Sequence, residues 1–327
     1  MTSDTPAWPR ALRNAVMLAL LVLAALLLVA SGEAATLPQV LASLPLAVLA
    51  SLCAHVPQIL FTAWAWLILL PQADRPTLTR MLKLRWYREG ADALLPAGSV
   101  VGQAAITRLM VRDGMPGDLA AGTATIGISL EAMGQMVFTI LGLAFFLTLR
   151  DDAEISGFLT GIAVAAGMVA LLVAAQRPFA LGLLRRVLER LSRRWPRLEP
   201  HWLDRFQSAL LRLHADHGKL AVALMLHVGC WVMGAIEMML VLTLIGHPIS
   251  LAEAMVIEAF AQVLRNAGFL LPGAAGVQEG AIIAGGLLMG VPVAPMATAA
   301  LVRRTREILV GSTALLAWRR DEVRGYP

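Results

Sequence analysis

The chain has 327 residues, of which 58% are hydrophobic and 15% charged, and its mean hydropathy is +0.72. Soluble domains carry roughly 45–50% apolar and about 25% charged residues, so this composition excludes a soluble globule and points to a polytopic membrane protein. The net charge of +5 gains meaning only when it is divided between the two sides of a membrane.

Residues 1–13 are a polar start carrying Arg10 and Arg13, and 14–30 form an unbroken apolar run. That pattern fits a cleaved signal peptide or a retained first helix, and the membrane character of the rest favours the retained helix. Residues 31–39 hold one charge, Glu33. Residues 40–70 are apolar again, with Pro45 and Pro57 inside. They predict one long or kinked crossing with Trp64 and Trp66 as interfacial anchors. Cys53 here and Cys230 further on both stand in apolar surroundings and read as buried small side chains, with no disulfide frame and no metal site.

Residues 72–90 turn basic, with Arg75, Arg80, Lys83, Arg85 and Arg88 against Asp74 and Glu89. Next comes a stretch that recurs later in the chain. Leu94-Leu95-Pro96 opens it and Gly114-Met115-Pro116 closes it; Leu270-Leu271-Pro272 and Gly290-Val291-Pro292 repeat the pattern without a gap, 176 residues on. The same offset pairs Glu131 with Glu307 and Gln103 with Glu279. Proline removes a helix donor and glycine weakens a helix, so each copy reads as two short apolar pieces broken in the middle. Paired, interrupted apolar segments in two halves of a membrane chain mark transport sites.

Residues 119–149 and 156–175 predict further crossings, separated by the acidic 150–155. In 177–219, Leu181, Leu184, Leu188 and Leu191 sit at helical spacing among arginines, and Trp202, Phe206 and Leu210 follow at spacings of four. These predict basic amphipathic helices lying on the anionic cytoplasmic leaflet, a solvated loop being the plainer alternative. Residues 220–245 cross again with His227 and Glu237 inside, which read as helix–helix contacts. The second repeat copy and an apolar run to Trp318 complete the membrane part.

The positive-inside rule places 1–13, 72–90, 177–219 and 319–327 in the cytoplasm and 31–39, 150–155 and 246–251 outside. The two repeat copies then enter from opposite faces. The expected fold is an all-α polytopic membrane protein with about 6–8 transmembrane helices and two re-entrant broken hairpins in an inverted repeat. Residues 1–318 form one integral membrane domain with repeat elements 88–131 and 265–307 and the cytoplasmic segment 177–219, followed by a short basic tail, 319–327.

Charged residues within the apolar stretches are Glu131, Glu237, Glu258, Arg265, Glu279, Arg303, Arg304, Arg306 and Glu307. Each costs roughly 2.5–3.5 kcal/mol to insert at a helix centre, so such groups face a cavity or one another. Arg303 and Glu307, four apart, are expected to pair. The expected substrate-binding set is Arg88, Gln103, Glu131, Arg265, Glu279, Arg303 and Glu307, lining one cavity at the repeat interface. Guanidinium forks suit an anionic head group such as a phosphate. There is no HExxH, GxSxG, P-loop or paired-cysteine metal spacing, and Gly273–Gly280 lacks the lysine of a phosphate-binding loop. No cofactor, catalytic residue or nucleic-acid partner is expected.

The stretches RWYREGADALLPAGSVVGQ (85–103), FLLPGAAGVQEGAIIAGGLLMGVP (269–292) and LVRRTREIL (301–309) resemble the flippase-like transmembrane family named after lysylphosphatidylglycerol synthase, most of all its stand-alone, hopanoid-associated members. Val100-Val101-Gly102-Gln103 departs from that family's Val-Gly-Gly run. The resemblance implies a bacterial inner-membrane protein that translocates lipids, hopanoids or another polar lipid, without the soluble aminoacyltransferase of fused relatives; the positive-inside rule puts both termini in the cytoplasm. Two alternatives stand beside it: a non-transporting partner that docks lipid-biosynthesis enzymes through 177–219, and a proton-coupled small-solute transporter using Glu131 and Glu307.

Overall fold

The computed structural model describes residues 37–150, 156–176, 182, 200–265 and 271–324. Ten α-helices and two short 3-10 turns account for the regular structure of these residues, which contain no strand. In chain order they are α1 (Leu37–Leu69), α2 (Leu78–Leu94), α3 (Gly98–Arg112), α4 (Gly117–Leu149), α5 (Ser156–Ala175), α6 (Pro200–Ala215), α7 (His217–Leu244), α8 (Leu251–Arg265), α9 (Val277–Leu288) and α10 (Val293–Arg324). Three stretches, Ala42–Leu69, Gly117–Leu149 and His217–Leu244, are long and apolar enough to cross a membrane. Their outer faces carry exposed Leu46, Val56, Trp64, Ile140, Leu147, Met225 and Leu240. Apolar side chains exposed in this number suit lipid rather than water. The protein is therefore an all-α membrane protein.

Both repeat copies turn at their proline and at their closing glycine, but the stretch between is one short continuous helix rather than two pieces broken in the middle. After α2 the chain turns at Pro96 and Ala97, runs through the short α3 and turns again at Gly114 before the long α4. After α8 it turns at Pro272 and Gly273, runs through the short α9 and turns at Gly290 before the long α10. The backbone itself repeats: Ala97 and Gly273 have φ of 47° and 55°, and Gly114 and Gly290 have φ of 98° and 77°. Glycine adopts these left-handed angles without a Cβ penalty, which is why it recurs at the closing turn.

Packing repeats as well. α1 lies along α7; α2 packs on α10 as α8 packs on α4; α2 packs on α3 as α8 packs on α9; and α1 meets α10 as α7 meets α4. A shift of 176 residues exchanges the members of each pairing, so the two halves are related by an internal two-fold exchange. α5 and α6 pack on α4 outside this frame.

Two apolar clusters result. One joins Trp66 and Leu70 of α1, Leu84 of α2, Leu109 of α3, Ile126 of α4 and Leu210 of α6. The other joins Phe138 of α4, Leu242 of α7, Ile257 of α8, Ile282 of α9 and Val302 of α10. Along α1, α4 and α7 the two clusters are separated by a polar band at about mid-length: His55 and Gln58, then Glu131, then His227 and Glu237.

Four further sequence expectations are corrected. Residues 78–90, expected as a basic cytoplasmic segment, are helix that packs into the core, and Arg85 is buried with 1% exposure. The turn of α2 inward explains this: its apolar face packs on the core and carries Arg85 with it. Trp64 is exposed as an interfacial anchor would be, but Trp66 is fully buried. In α6, Leu203, Phe206 and Leu210 are buried in the first apolar cluster against α4, so that apolar face meets protein rather than the leaflet. Residues 319–324 continue α10 instead of forming a separate tail. The first predicted crossing (14–30), the acidic 151–155 and the leucine–arginine stretch 183–199 lie outside the described residues, as do 266–270 and 325–327.

Candidate functional site

The polar bands converge on one cavity with an empty volume of about 1020 Å³, its open mouth included, walled by α1, α2, α4, α7, α8, α9 and α10. Each helix contributes residues at helical spacing. His55, Gln58 and Thr62 come from α1, Arg85, Arg88, Glu89 and Asp92 from α2, and Glu258, Gln262 and Arg265 from α8. Arg303, Arg306 and Glu307 come from α10. Residues three, four and seven apart share one face of a helix, so each set is a polar stripe on an otherwise apolar rod.

Most of the charges are matched. Arg88 holds Glu131 with Nη1 2.8 Å from Oε2 and Nη2 donating to Oε1 at 3.1 Å. Arg265 donates to Asp92 across the repeat interface at 2.8 Å. Arg303 meets Glu258 through both oxygens, at 3.1 and 2.8 Å, and Gln262 donates to the same carboxylate at 2.7 Å. Arg306 donates to Glu237 at 2.7 Å, and Ser51 and Gln58 donate to Glu237 at 2.6 and 2.9 Å. His55 Nδ1 lies 2.8 Å from Arg306 Nη1. The same Nδ1 lies 3.2 Å from Gln58 Oε1, and Nε2 lies 3.9 Å from Glu89. Among the arginines of the wall Arg85 is the exception: its planar guanidinium lies 5.8 Å from the centre of the Trp66 ring, and its Nε and Nη1 have no hydrogen-bond partner.

Of the expected substrate-binding set, Arg88, Glu131, Arg265, Arg303 and Glu307 line this cavity. Gln103 and Glu279 do not. Gln103 is buried in α3 with neither side-chain nitrogen nor oxygen hydrogen-bonded. Glu279 caps α9 by accepting from Gly276 N at 2.7 Å and pairs with Arg304 Nε at 2.6 Å. The expected Arg303–Glu307 pair is not formed. Glu307 instead meets Arg304, one turn earlier on α10, at 2.9 Å, and accepts from Gln278 at 2.7 Å. Glu258 reaches in from α8 and takes Arg303, a partner that spacing along α10 cannot reveal. His227 and Glu237 do more than join helices, since both line the cavity.

The residues not selected from sequence include His55, Gln58, Arg85, Glu89 and Asp92. A signal for them exists. His55, Gln58 and Thr62 are the polar residues at one helical spacing in a long apolar run, and Arg85, Arg88, Glu89 and Asp92 repeat that spacing. Reading 72–90 only as a basic cytoplasmic segment concealed the second stripe.

The described residues thus form an all-α membrane protein with two exchanged halves and a charged interior cavity. A family model described as the lysylphosphatidylglycerol synthase TM region matches residues 15–314, and the chain belongs to that family. Searches of curated proteins and of solved structures gave no match.

Proposed function

We propose that this protein is a carrier rather than an enzyme, moving a polar-headed lipid between the leaflets of the bacterial inner membrane through the charged cavity. One observation carries the reading: a mid-height cavity walled by charged side chains from both repeats, inside a frame whose outer faces are apolar. A lipid needs a polar path for its head while its tails stay in hydrocarbon. A partner that only docks enzymes needs no such interior. The family's description ties it to lipid metabolism. Lipids with a polar or anionic head, hopanoids among them, are the proposed cargo. The two-fold axis would lie in the membrane plane, both termini would be cytoplasmic, and the arginines of the 177–219 segment, rather than its apolar face, would meet the anionic leaflet or lipid-biosynthesis enzymes.

Reconstitution tests this. Vesicles carrying the purified protein and a head-labelled phospholipid in both leaflets are treated with an impermeant quencher. Protein-dependent exposure of the inner-leaflet pool is expected. Quenching that stops at the outer leaflet, as in protein-free vesicles, would overturn the proposal.

A further inference from the structure

We infer that Arg85, with His227 beside it, is the anion subsite of the cavity, and that it takes a singly charged phosphodiester. The lipid form of that ligand rests on the function proposed above; the subsite itself rests on geometry. Of the five arginines on the cavity wall, Arg88, Arg265, Arg303 and Arg306 each meet a carboxylate. Arg85 meets none, although it is 1% exposed and its Nε and Nη1 are buried without partners. Glu89, four residues on and the natural helical partner, lies toward His55 instead, 3.9 Å away. His227 is also 1% exposed, lines the cavity and leaves Nε2 unpartnered.

The fold does not require a cation at this position. The residue 176 places on is Ala261, buried in the second apolar cluster in the same relation to its half of the molecule. Arg85 is also held in place before any ligand arrives. Its guanidinium lies over Trp66, and Trp66 is pressed against Gly127, where an added Cβ would fall 2.9 Å from the indole nitrogen. A buried, oriented and unsatisfied guanidinium is costly to keep, and its planar donors match the oxygens of a phosphate. The wall carries six carboxylates against five arginines, so a singly charged phosphodiester meets less repulsion there than a doubly charged monoester.

The test is a titration of purified full-length protein with three probes: dihexanoyl phosphatidylglycerol, dihexanoylglycerol with the same tails and no phosphate, and inorganic phosphate. Wild type is expected to bind the phospholipid more tightly than the neutral lipid. Arg85→Gln should weaken phospholipid binding on the order of tenfold to a hundredfold and leave the neutral lipid unchanged. The empty Arg85→Gln protein should melt no lower than wild type, because an unsatisfied buried charge has been removed. A residue that served only to stack on Trp66 would lower the melting temperature and leave the phosphate preference intact, which overturns the inference. Arg85→Lys keeps the charge without the fork and carries the comparison if the glutamine variant does not fold; full affinity in it also overturns the inference. Inorganic phosphate binding that depends on Arg85, without lipid binding, supports the subsite and removes the lipid as its source. Unchanged binding by Arg85→Gln alongside intact lipid movement overturns the subsite and leaves the transport reading standing.

Discussion

The two repeat copies have one backbone and two chemistries. Their corners, closing turns and packing partners exchange under the 176-residue shift, yet their long helices differ where it matters. On α10, Arg303, Arg304, Arg306 and Glu307 crowd one turn; at the equivalent places on α4 stand Gly127, Ile128, Leu130 and Glu131. The α10 wall is saturated with ion pairs that tie α10 to α7, α8 and α9. The α4 wall keeps a single carboxylate, borrows its cation from α2, and leaves room for Trp66 and the open Arg85. A shared fold thus carries different chemistry: one wall ties the helices of its own half together with ion pairs, and the other leaves Arg85 without a carboxylate partner.

The largest test of this division removes an arginine from each wall. Arg303→Gln leaves Glu258 buried with only Gln262 and is expected to cost about 3–5 kcal/mol in unfolding of the purified protein. Arg88→Gln strands Glu131, whose side chain keeps 27% exposure, and should cost less, about 1–3 kcal/mol. Replacing Arg303 and Glu258 together with Met and Leu should recover most of the loss, since an apolar pair of similar size is often as stable as a buried ion pair. A cycle between Arg303 and Glu307 should show weaker coupling than one between Arg303 and Glu258, as only the latter are hydrogen-bonded. Strong coupling there, with none to Glu258, would falsify the pairing.

Much of this frame was legible in the sequence. The offset located both corners and both closing turns, because proline and positive-φ glycine are demanded by the backbone and survive as letters. Five of seven chosen site residues lie on the cavity wall because an ionised group in an apolar run has few places to go. What stayed hidden was partner choice. Arg303 meets Glu258 and Arg265 meets Asp92 through contacts between helices far apart in sequence, and helical spacing speaks only of neighbours on one helix. Gln103 and Glu279 were placed on the cavity by their equivalence, but their side chains point elsewhere: one into the packing of α3, the other back over the start of α9.

A smaller effect separates the two corners. Gly273 has φ of 55° and an added Cβ would fall 2.7 Å from the carbonyl oxygen of Ala93. It also offers its own oxygen to Arg304 Nη2 at 2.9 Å. Gly273→Ala should therefore cost about 2–4 kcal/mol, from the left-handed angle and the clash together. Ala97 carries the same kind of angle with its Cβ already accommodated. Ala97→Gly should relieve that strain, less the added freedom of the unfolded chain, for a gain of up to about 1 kcal/mol. Opposite signs in thermal unfolding support equivalent corners with different surroundings; a loss at both sites would break the equivalence.

The smallest effect lies at the ends of the two long helices. At the end of α10, Asp321 accepts from Arg80 at 2.5 Å and from Arg112 at 3.1 Å, and Glu322 pairs with Arg108, so α10 is clamped to α2 and α3. The equivalent end of α4 carries Phe145 and Phe146, and its neighbours Val256, Leu288 and Met289 are apolar too. Only the polar clamp can respond to salt and pH. Burial by itself would raise the Asp321 carboxyl, but the hydrogen bonds and charges of Arg80 and Arg112 outweigh it and hold the group below the usual aspartate value. A depressed carboxylate contributes stability that is present above the unfolded value, near 3.9, and is lost as pH falls through the lower folded value. Asp321→Asn should then cost on the order of 1 kcal/mol at pH 7 in dilute buffer, less in 1 M salt, and progressively less as the pH falls below the unfolded value. Phe146→Leu, at the apolar end, should cost the same under all these conditions. The measurement is unfolding of both variants at pH 7 and pH 3, with and without salt. A cost of Asp321→Asn that ignores both variables would mean the clamp holds by packing, and the contrast between the two ends would be lost.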